Sequence, residues 1–439
     1  MIHRKPAKQQ QLTAKNTLVM LAALNSWRGS TLRFIMHGSI AAALSLMSAV
    51  AIASAAPSQP EGKGKTVTSE VSENFALKLF RLAAKKSDSN IVISPYSVST
   101  ALAMTYNGAR GRTKDEMQRV LSYDGLSDAA INKQNADLSK SLLQINPQSE
   151  LAIANALFAK QNAVFNPNFI NTNKKFYGAQ LEALNFADPS AVVKINDWVK
   201  ENTKGKIPTI LDKAPKDVIL YLVNAIYFKG TWLNEFKKTE THSADFNLQD
   251  GSKKSVQMMN RSAKMLHLQG DNFQAVMLPY KDNRLQMCIF LPSPQSNVGA
   301  LIARFNDRNW QEWINKFSET QGKLALPRFR VEYKTELGKV LSEAGMPCAF
   351  NDDCADFKNM IDQDVFISRV LHKTFLEVNE RGTEAAAATA VEIMPRGIFV
   401  NPAPPFNMIC DRPFIIAVRD QQTDTILFLG VIVDPQAAN

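Results

Sequence analysis

The sequence predicts an α+β fold built as one large domain, with helices early in the chain and strands later. Three observations support this class. Apolar residues recur at helical spacing over residues 71–82, apolar runs separated by turns fill residues 255–292, and two more such runs lie near the end of the chain. The 439 residues are 45% hydrophobic, which is enough to bury a large core.

Local patterns define the elements in chain order. Apolar periodicity without turn residues predicts helices at 71–82, 97–104, 113–121, 196–202, 301–317 and 334–344. Apolar runs bounded by turn residues predict strands at 151–165, 219–228, several positions within 255–292, 414–418 and 426–433. The last two strands flank polar residues and predict a hairpin. No repeat or linker divides residues 56–439 into independent domains.

The first 55 residues predict an export signal with a basic extension. Six basic and no acidic side chains precede or flank an uncharged run over 40–56, which ends in small residues that a signal peptidase accepts. We therefore expect removal of residues 1–55 and secretion of the rest, outside the cell or into the periplasm. Met20 and Met36 are alternative starts of translation. A membrane anchor is the other interpretation, but a span needs about 20 strongly apolar residues.

Charge and motifs exclude several classes of function. The net charge of +10 falls to +4 without the six basic residues near the start. No block of five like charges occurs, so a nucleic-acid surface is not indicated. The sequence also lacks a Gly-x-Ser-x-Gly elbow, a His-Glu-x-x-His helix and a phosphate-binding glycine loop. We expect neither an enzyme nor a bound metal or cofactor.

The four cysteines fall into two pairs of different character. Cys288 and Cys410 lie in or beside strand patterns and are expected to be small buried hydrophobes. Cys348 and Cys354 lie close together in a predicted loop. They could form a local disulfide in an oxidising compartment or remain thiols, and the spacing leaves both open.

Residues 379–397 are the most informative segment. As a strand, residues 383–393 would present one uncharged face and one face carrying Glu384 and Glu392. Gly382 precedes this segment and several prolines follow it, so it could lie exposed and later join a sheet. Taken alone, the run of four alanines favours a helix or a flexible linker.

Several sequence blocks resemble the serpin family, in family order and spacing, from about Val71 to Pro435. They are residues 90–104, 222–232, 277–280, 287–292, 326–329, 371–373, 380–388 and 411–420. The resemblance implies the serpin fold, with a large mixed central β-sheet, further sheets and about eight or nine helices. It also implies a monomer with an exposed reactive-centre loop at about residues 380–405.

By this resemblance, the cleavage site lies fourteen residues beyond the hinge glycine Gly382, at Arg396-Gly397. A cut after Met394 would need a proline nitrogen, which is a poor partner, whereas arginine fits the acidic pocket of trypsin-like enzymes. The implied partner is such a protease, held as an acyl-enzyme while the cut loop inserts into the central sheet. No nucleic acid or stable membrane association is expected.

The resemblance also assigns roles to individual residues. The loop hinge comprises Glu380, Gly382, Thr383, Glu384, Ala385, Ala386, Ala387 and Ala388. On insertion, the side chains on the face that becomes buried must be small and uncharged, as Thr383, Ala385 and Ala387 are, whereas Glu384 points the opposite way. The shutter, where the sheet parts, comprises Ser94, Ser97, Asn224 and His372, with Trp232 at the breach above it. The alternative is that these are unconnected core residues. At the level of function, the alternatives are a non-inhibitory carrier or chaperone and an inhibitor of an arginine-specific cysteine protease.

Overall fold

Two β-sheets and nine α-helices make up the part of the chain that the computed structural model describes, which is residues 67–85, 88–144, 149–215, 218–383 and 404–436. The predicted α+β class is therefore confirmed. Residues 1–66, with the predicted export signal, lie outside the described residues, and the extent of the domain from residue 56 stays a prediction. Within the described residues, no helix is both long and apolar enough to cross a membrane.

Most helices precede the middle of the chain. They are α1 Val67–Ala83, α2 Pro95–Tyr106, α3 Gly111–Val120, α4 Asp128–Leu143, α5 Pro167–Tyr177, α6 Ser190–Asn202, α7 Val298–Ile302, α8 Asp307–Lys316 and α9 Gly338–Glu343. Two short 3-10 helices, Lys238–Glu240 and Pro347–Phe350, accompany them.

Strands are numbered along the chain. They are β1 Ile91–Ile93, β2 Ser149–Lys160, β3 Gln180–Leu184, β4 Leu220–Thr231, β5 His242–Asn247, β6 Lys253–Gly270, β7 Phe273–Pro279, β8 Leu285–Pro292, β9 Ser318–Pro327, β10 Phe329–Glu336, β11 Arg369–Val378, β12 Gly382–Thr383, β13 Phe406–Ile409, β14 Phe414–Asp420 and β15 Ile426–Ile432.

The six-stranded sheet is mixed and will be called the central sheet. Its order is β10-β11-β4-β2-β3, and the short strand β12 pairs with β4 outside this path. Strand β4 runs antiparallel to β2 but parallel to β11. The second sheet has nine strands in the order β1-β15-β14-β8-β7-β6-β9-β13, with β5 paired to β6. Every residue of β8 and β15 is buried, as expected for strands covered on both faces.

Helix α2 lies in the core, and its sequence contains no charged residue. All of its residues are buried, a pattern typical of a helix surrounded by protein. Ser94 caps its first turn by accepting a hydrogen bond from the Ser97 N–H, and Pro95 occupies the first helical position. The helix packs against β2 and β4 of the central sheet and against β15 of the other.

Two predicted helices are wrong in part. Residues 334–336 belong to β10, because this polar segment pairs with β11, with Lys334 opposite Lys373; helix α9 begins only at Gly338. The helix predicted over 301–317 is divided into α7 and α8. The division falls where the Asn306 side chain accepts a hydrogen bond from the Asn309 N–H and starts a new helix.

Two further boundaries differ from prediction. The strand predicted over 151–165 ends at Lys160, because Asn162 adopts a left-handed backbone conformation with φ +76°. The helix predicted from residue 196 begins earlier, at Ser190. The core strands β4, β14 and β15 match their predicted bounds to within three residues, and β7 and β8 lie within the predicted region 255–292.

Candidate functional site

A row of polar side chains crosses the central sheet at one level. Asn155 of β2 lies opposite Asn224 of β4, and Asn224 lies opposite His372 of β11. All three are buried, and His372 and Asn224 have no exposed surface. Buried polar groups of this kind require hydrogen-bond partners.

The side-chain amide of Asn224 is the centre of this network. Its Nδ2 donates to the Asn155 Oδ1 and to the Ser97 Oγ, each at 2.5 Å. Its Oδ1 accepts from the His372 Nδ1, also at 2.5 Å. One asparagine thus connects three strands of the sheet to the first turn of helix α2.

The other ring nitrogen of His372 fixes its protonation state. The backbone N–H of Ser94 donates to the His372 Nε2 at 3.1 Å, so this nitrogen carries a lone pair and the proton lies on Nδ1. Burial lowers the pKa of His372 to about 3. The imidazole is therefore neutral at physiological pH, and its two hydrogen bonds have opposite directions.

The structure thus brings together the four residues predicted for the shutter, Ser94, Ser97, Asn224 and His372, in one network; their role in opening the sheet stays a prediction. Asn155 was missed. Its sequence context could have indicated it, because it is the only amide in the otherwise apolar run of residues 151–158.

The hinge begins where strand β11 ends. The chain reverses between Asn379 and Gly382, whose backbone groups exchange hydrogen bonds of 2.8 and 3.1 Å. It then returns as β12, antiparallel to β4, with Gly382 opposite Thr231 and Thr383 opposite Gly230. The direct pairing of β4 with β11 stops below this level, at Tyr227 and Phe375. We call the boundary between the paired strands β4 and β11 the seam. Strand β12 lies at the end of the seam where β4 and β11 are no longer paired directly.

Gly382 is required at this turn. Its φ is +146°, and a Cβ atom added there would lie 2.0 Å from the carbonyl oxygen of Gly230. Only glycine combines this backbone conformation with such a close approach.

The next residue, Thr383, contacts a pair of stacked aromatic side chains through a hydroxyl group. Thr383 is completely buried, and its Oγ1 lies 2.9 Å from the Tyr280 hydroxyl. The Tyr280 ring stacks on Trp232, with ring centroids 4.5 Å apart. Trp232 in turn donates from Nε1 to the Asn379 carbonyl at 3.0 Å and from its backbone N–H to the Arg381 carbonyl at 2.8 Å. The structure thus places the predicted breach residue Trp232 against the hinge, whereas Tyr280 was not predicted.

A buried ion pair anchors the residue before the hinge glycine. The Glu380 side chain is 2% exposed and accepts hydrogen bonds from the Arg328 guanidinium at 2.7–2.8 Å and from the Thr241 hydroxyl at 2.7 Å. Burial by itself would raise the pKa of Glu380, but the hydrogen bonds from Arg328 and Thr241 outweigh it and hold the pKa below its usual value. Sequence reasoning identified Glu380 but not its two partners, which lie far away in the chain.

The remaining predicted site residues fall within residues 384–403, which lie outside the described residues. They are Glu384, Ala385, Ala386, Ala387, Ala388, Arg396 and Gly397. Strand β13 begins shortly after this segment, at Phe406.

The four cysteines form one free pair and one bonded pair. Cys288 and Cys410 are free and buried, as predicted, and burial raises the pKa of Cys288 to about 12. Cys348 and Cys354 are joined by a disulfide, with Cα atoms 5.4 Å apart. Among the described residues, no group of three or more His, Cys, Asp or Glu side chains could hold a metal ion.

Comparison with known sequences gives a consistent match. A family model described as serpin (serine protease inhibitor) matches residues 70–435. Serpin B8 of Homo sapiens is 36% identical over 376 residues, which cover 83% of this chain and 99% of that protein. Leukocyte elastase inhibitor of Sus scrofa is 36% identical over 386 residues, covering 84% of this chain and 99% of that protein.

Solved structures match over the same part of the chain. The native state of the thermophilic serpin tengpin superposes with a TM-score of 0.77 at 32% identity, covering 83% of this chain and 93% of tengpin. Human thyroxine-binding globulin in complex with its ligand gives a TM-score of 0.75 at 28% identity, covering 84% and 99% of the two chains.

The comparisons contradict the predicted secretion. Serpin B8, Serpin B6 and leukocyte elastase inhibitor belong to the intracellular B group of serpins, whose members lack signal peptides. The prediction was based on the small apolar residues of 40–56. Alanine and serine are common in many contexts, so a short run of them carries little specificity for export.

Proposed function

Because this chain belongs to the serpin family, we propose that it is a suicide inhibitor of trypsin-like serine proteases that is cleaved at Arg396-Gly397. Protease inhibition as such follows from the family, whose description is serine protease inhibitor. Membership also confirms that the chain is not an enzyme. The finer statements, on the target class, the cleaved bond and the mechanism, are the proposal.

The observation that carries the proposal is the position of β12 at the open end of the seam between β4 and β11. Its pairing with β4 places Thr383 opposite Gly230. Residues that follow in the same direction would run along β4, into the region where β4 now pairs with β11. To continue as a strand, they must separate these two strands and occupy the space between them.

The sequence after Thr383 suits this insertion. Alternate residues would face the same side of the sheet as Thr383; they are Ala385, Ala387 and Thr389. All are small and uncharged, so their burial avoids the cost of several kcal/mol that a charged side chain would bring. Glu384 falls on the opposite face, where its carboxylate can stay in water.

The pairing with β4 and the pairing with β11 each predict where Thr389 would lie after insertion, and both place it at the polar network. Continuing the pairing with β4 would place Thr389 opposite Asn224. Continuing the Asn379–Gly382 bridge along β11 would place the same threonine opposite His372. Insertion separates these two residues and breaks their mutual hydrogen bond. The Thr389 hydroxyl, which can both donate and accept a hydrogen bond, would then lie between the His372 ring and the Asn224 amide.

The chemistry before insertion is supplied by the protease. Its serine attacks the Arg396 carbonyl carbon, the bond to the Gly397 nitrogen breaks, and that nitrogen leaves with the proton delivered by the protease histidine. The ester then links the protease to Arg396. Each inserted residue adds about 0.5–1.5 kcal/mol per net hydrogen bond, so insertion stabilises the state in which the ester persists.

The arginine determines the expected target class. A guanidinium fits the acidic specificity pocket of trypsin-like enzymes. The name leukocyte elastase inhibitor describes the target of that relative; the residue at position 396 is what directs this chain to a different class.

Incubation with trypsin tests the proposal. We expect a covalent adduct that resists denaturation, together with a released fragment that begins at Gly397 in mass spectrometry. Arg396→Glu should abolish the adduct, and Arg396→Lys should retain it as the matched control. A chain that is only cut, without an adduct, would support the non-inhibitory alternative. A fragment beginning elsewhere would refute the assigned bond.

A further inference from the structure

Thr383 is buried in a place made for a hydroxyl group. The residue has no exposed surface, and its backbone pairs with Gly230. A buried hydroxyl without a partner is costly, but here the Thr383 Oγ1 and the Tyr280 hydroxyl lie 2.9 Å apart. Tyr280 therefore supplies the interaction that makes burial of this threonine favourable.

The Tyr280 ring is held rigidly from several sides. It stacks on Trp232 at an interplanar angle of 16° and meets the Phe228 ring edge-on, with centroids 5.2 Å apart. Its backbone N–H donates to the Leu285 carbonyl at 3.0 Å. With the ring fixed in this way, its hydroxyl has a defined position toward Thr383.

Gly230 leaves the space that this arrangement needs. A Cβ atom at position 230 would lie 2.7 Å from both the Tyr280 ring and the Phe228 ring. The absence of a side chain on β4 at this level lets the tyrosine ring pack beside the first rung of β12. Two residues far apart in sequence thus shape one seat for Thr383.

We propose that Tyr280 is a positioning residue that seats Thr383 on strand β4 and thereby sets how readily the cut loop begins to insert. With Thr383 buried beside Tyr280, its pairing with Gly230 already forms the first residue pair of the new strand before cleavage. Insertion then extends an existing pair of strands and does not have to form the first contact. The effect on insertion rests on the proposed function, whereas the seating of the hinge does not.

Hydrogen exchange in the absence of protease tests the seating directly. The informative amides are those of Trp232 and Gly382, which donate to carbonyls across the hinge. Tyr280→Phe keeps the ring stack and removes only the hydroxyl, and Thr383→Val removes its partner at similar volume. Each variant should speed exchange of these amides about 2- to 10-fold, as expected for one net hydrogen bond.

The double variant identifies the interaction. Because either substitution removes the same hydrogen bond, exchange in the double variant should match the single variants. Tyr177→Phe is the control: it removes a hydroxyl that donates to the Asn132 Oδ1 at 2.6 Å on helix α5, away from the hinge. This control should leave exchange at the hinge unchanged. Unchanged exchange in Tyr280→Phe, or additive effects in the double variant, would overturn the inference.

Trypsin inhibition supplies the second readout. The ratio of cleaved chain to covalent adduct should rise in Tyr280→Phe and Thr383→Val by the same factor as the exchange rate. If the parent chain forms no adduct, the proposed function fails while the exchange result still decides the seating. If adducts form normally but exchange at the hinge does not depend on the two hydroxyls, the seating is refuted and the proposed function stands.

Discussion

The neutral His372 predicts that the folded protein loses stability as the pH falls below the ordinary imidazole range. Burial lowers its pKa from 6.5 to about 3, and its Nε2 already accepts a hydrogen bond from the Ser94 N–H. The unfolded chain binds a proton below pH 6.5, whereas the folded protein does not. The contribution to stability is therefore complete well above pH 6.5 and decreases as the pH falls toward 3.

The size of the effect follows from the proton linkage. Each pH unit below the unfolded pKa costs about 1.4 kcal/mol until the folded pKa is reached. Between about pH 7.5 and about pH 5, the free energy of unfolding should therefore fall by about 2 kcal/mol through this residue alone. A loss of this size is large beside a typical stability of about 5–15 kcal/mol.

His372→Gln isolates this contribution from that of the carboxyl groups. The glutamine Oε1 can accept from the Ser94 N–H and its amide can donate to Asn224, but the side chain does not titrate. Urea unfolding across the same pH range should therefore give a shallower pH dependence for His372→Gln, by about 2 kcal/mol in total. His242→Gln, at an exposed position on β5 outside the network, is the control. Parallel curves for His372→Gln and the unmodified protein would refute a buried neutral imidazole.

Three other predictions concern the hinge and the loop. Thr383→Arg should convert the inhibitor into a substrate of trypsin, because a charged side chain cannot be buried at the first rung; adduct formation equal to that of Thr383→Ser would contradict this. Arg328→Met should lower the free energy of unfolding by about 3 kcal/mol, because it leaves the buried Glu380 carboxylate uncompensated. Lys316→Met, in an exposed pair with Glu312, is its control in the same urea titration and should change little. Cleavage at Arg396 should raise the melting temperature measured by calorimetry, and an unchanged or lower value would speak against insertion.

Local sequence patterns predicted the buried strands well because their signal is continuous. Strands β8 and β15 are wholly buried, so every residue contributes to the apolar run. The prediction for the second half of β10 was wrong because its signal is interrupted by polar residues. It lies at the edge of the central sheet, its exposed Lys and Glu side chains resemble those of a surface helix, and only its pairing with β11 makes it a strand.

Some residues of the candidate site were predictable from the sequence, but several of their partners were not. The resemblance to known proteins identified Asn224, His372 and Trp232, yet it did not show that Asn155 joins the network. The partners of the hinge, Tyr280 and Arg328, are separated from Thr383 and Glu380 by 103 and 52 positions in the chain. Periodicity over a short window carries no information about such distant pairs.

The registers on β4 have a geometric consequence for the length of the loop. Strand β4 has 12 residues, Leu220–Thr231, and Gly382 is aligned with its last residue. A loop inserted along the whole of β4 would place Ile393 opposite Leu220, at the other end of the strand. This end lies about 36 Å from Thr231. Arg396 would then lie three residues beyond the end of β4, so a protease bound to it would be held at that end of the central sheet. If the loop inserts in this way, the twelve residues from Gly382 to Ile393 would match the twelve residues of β4.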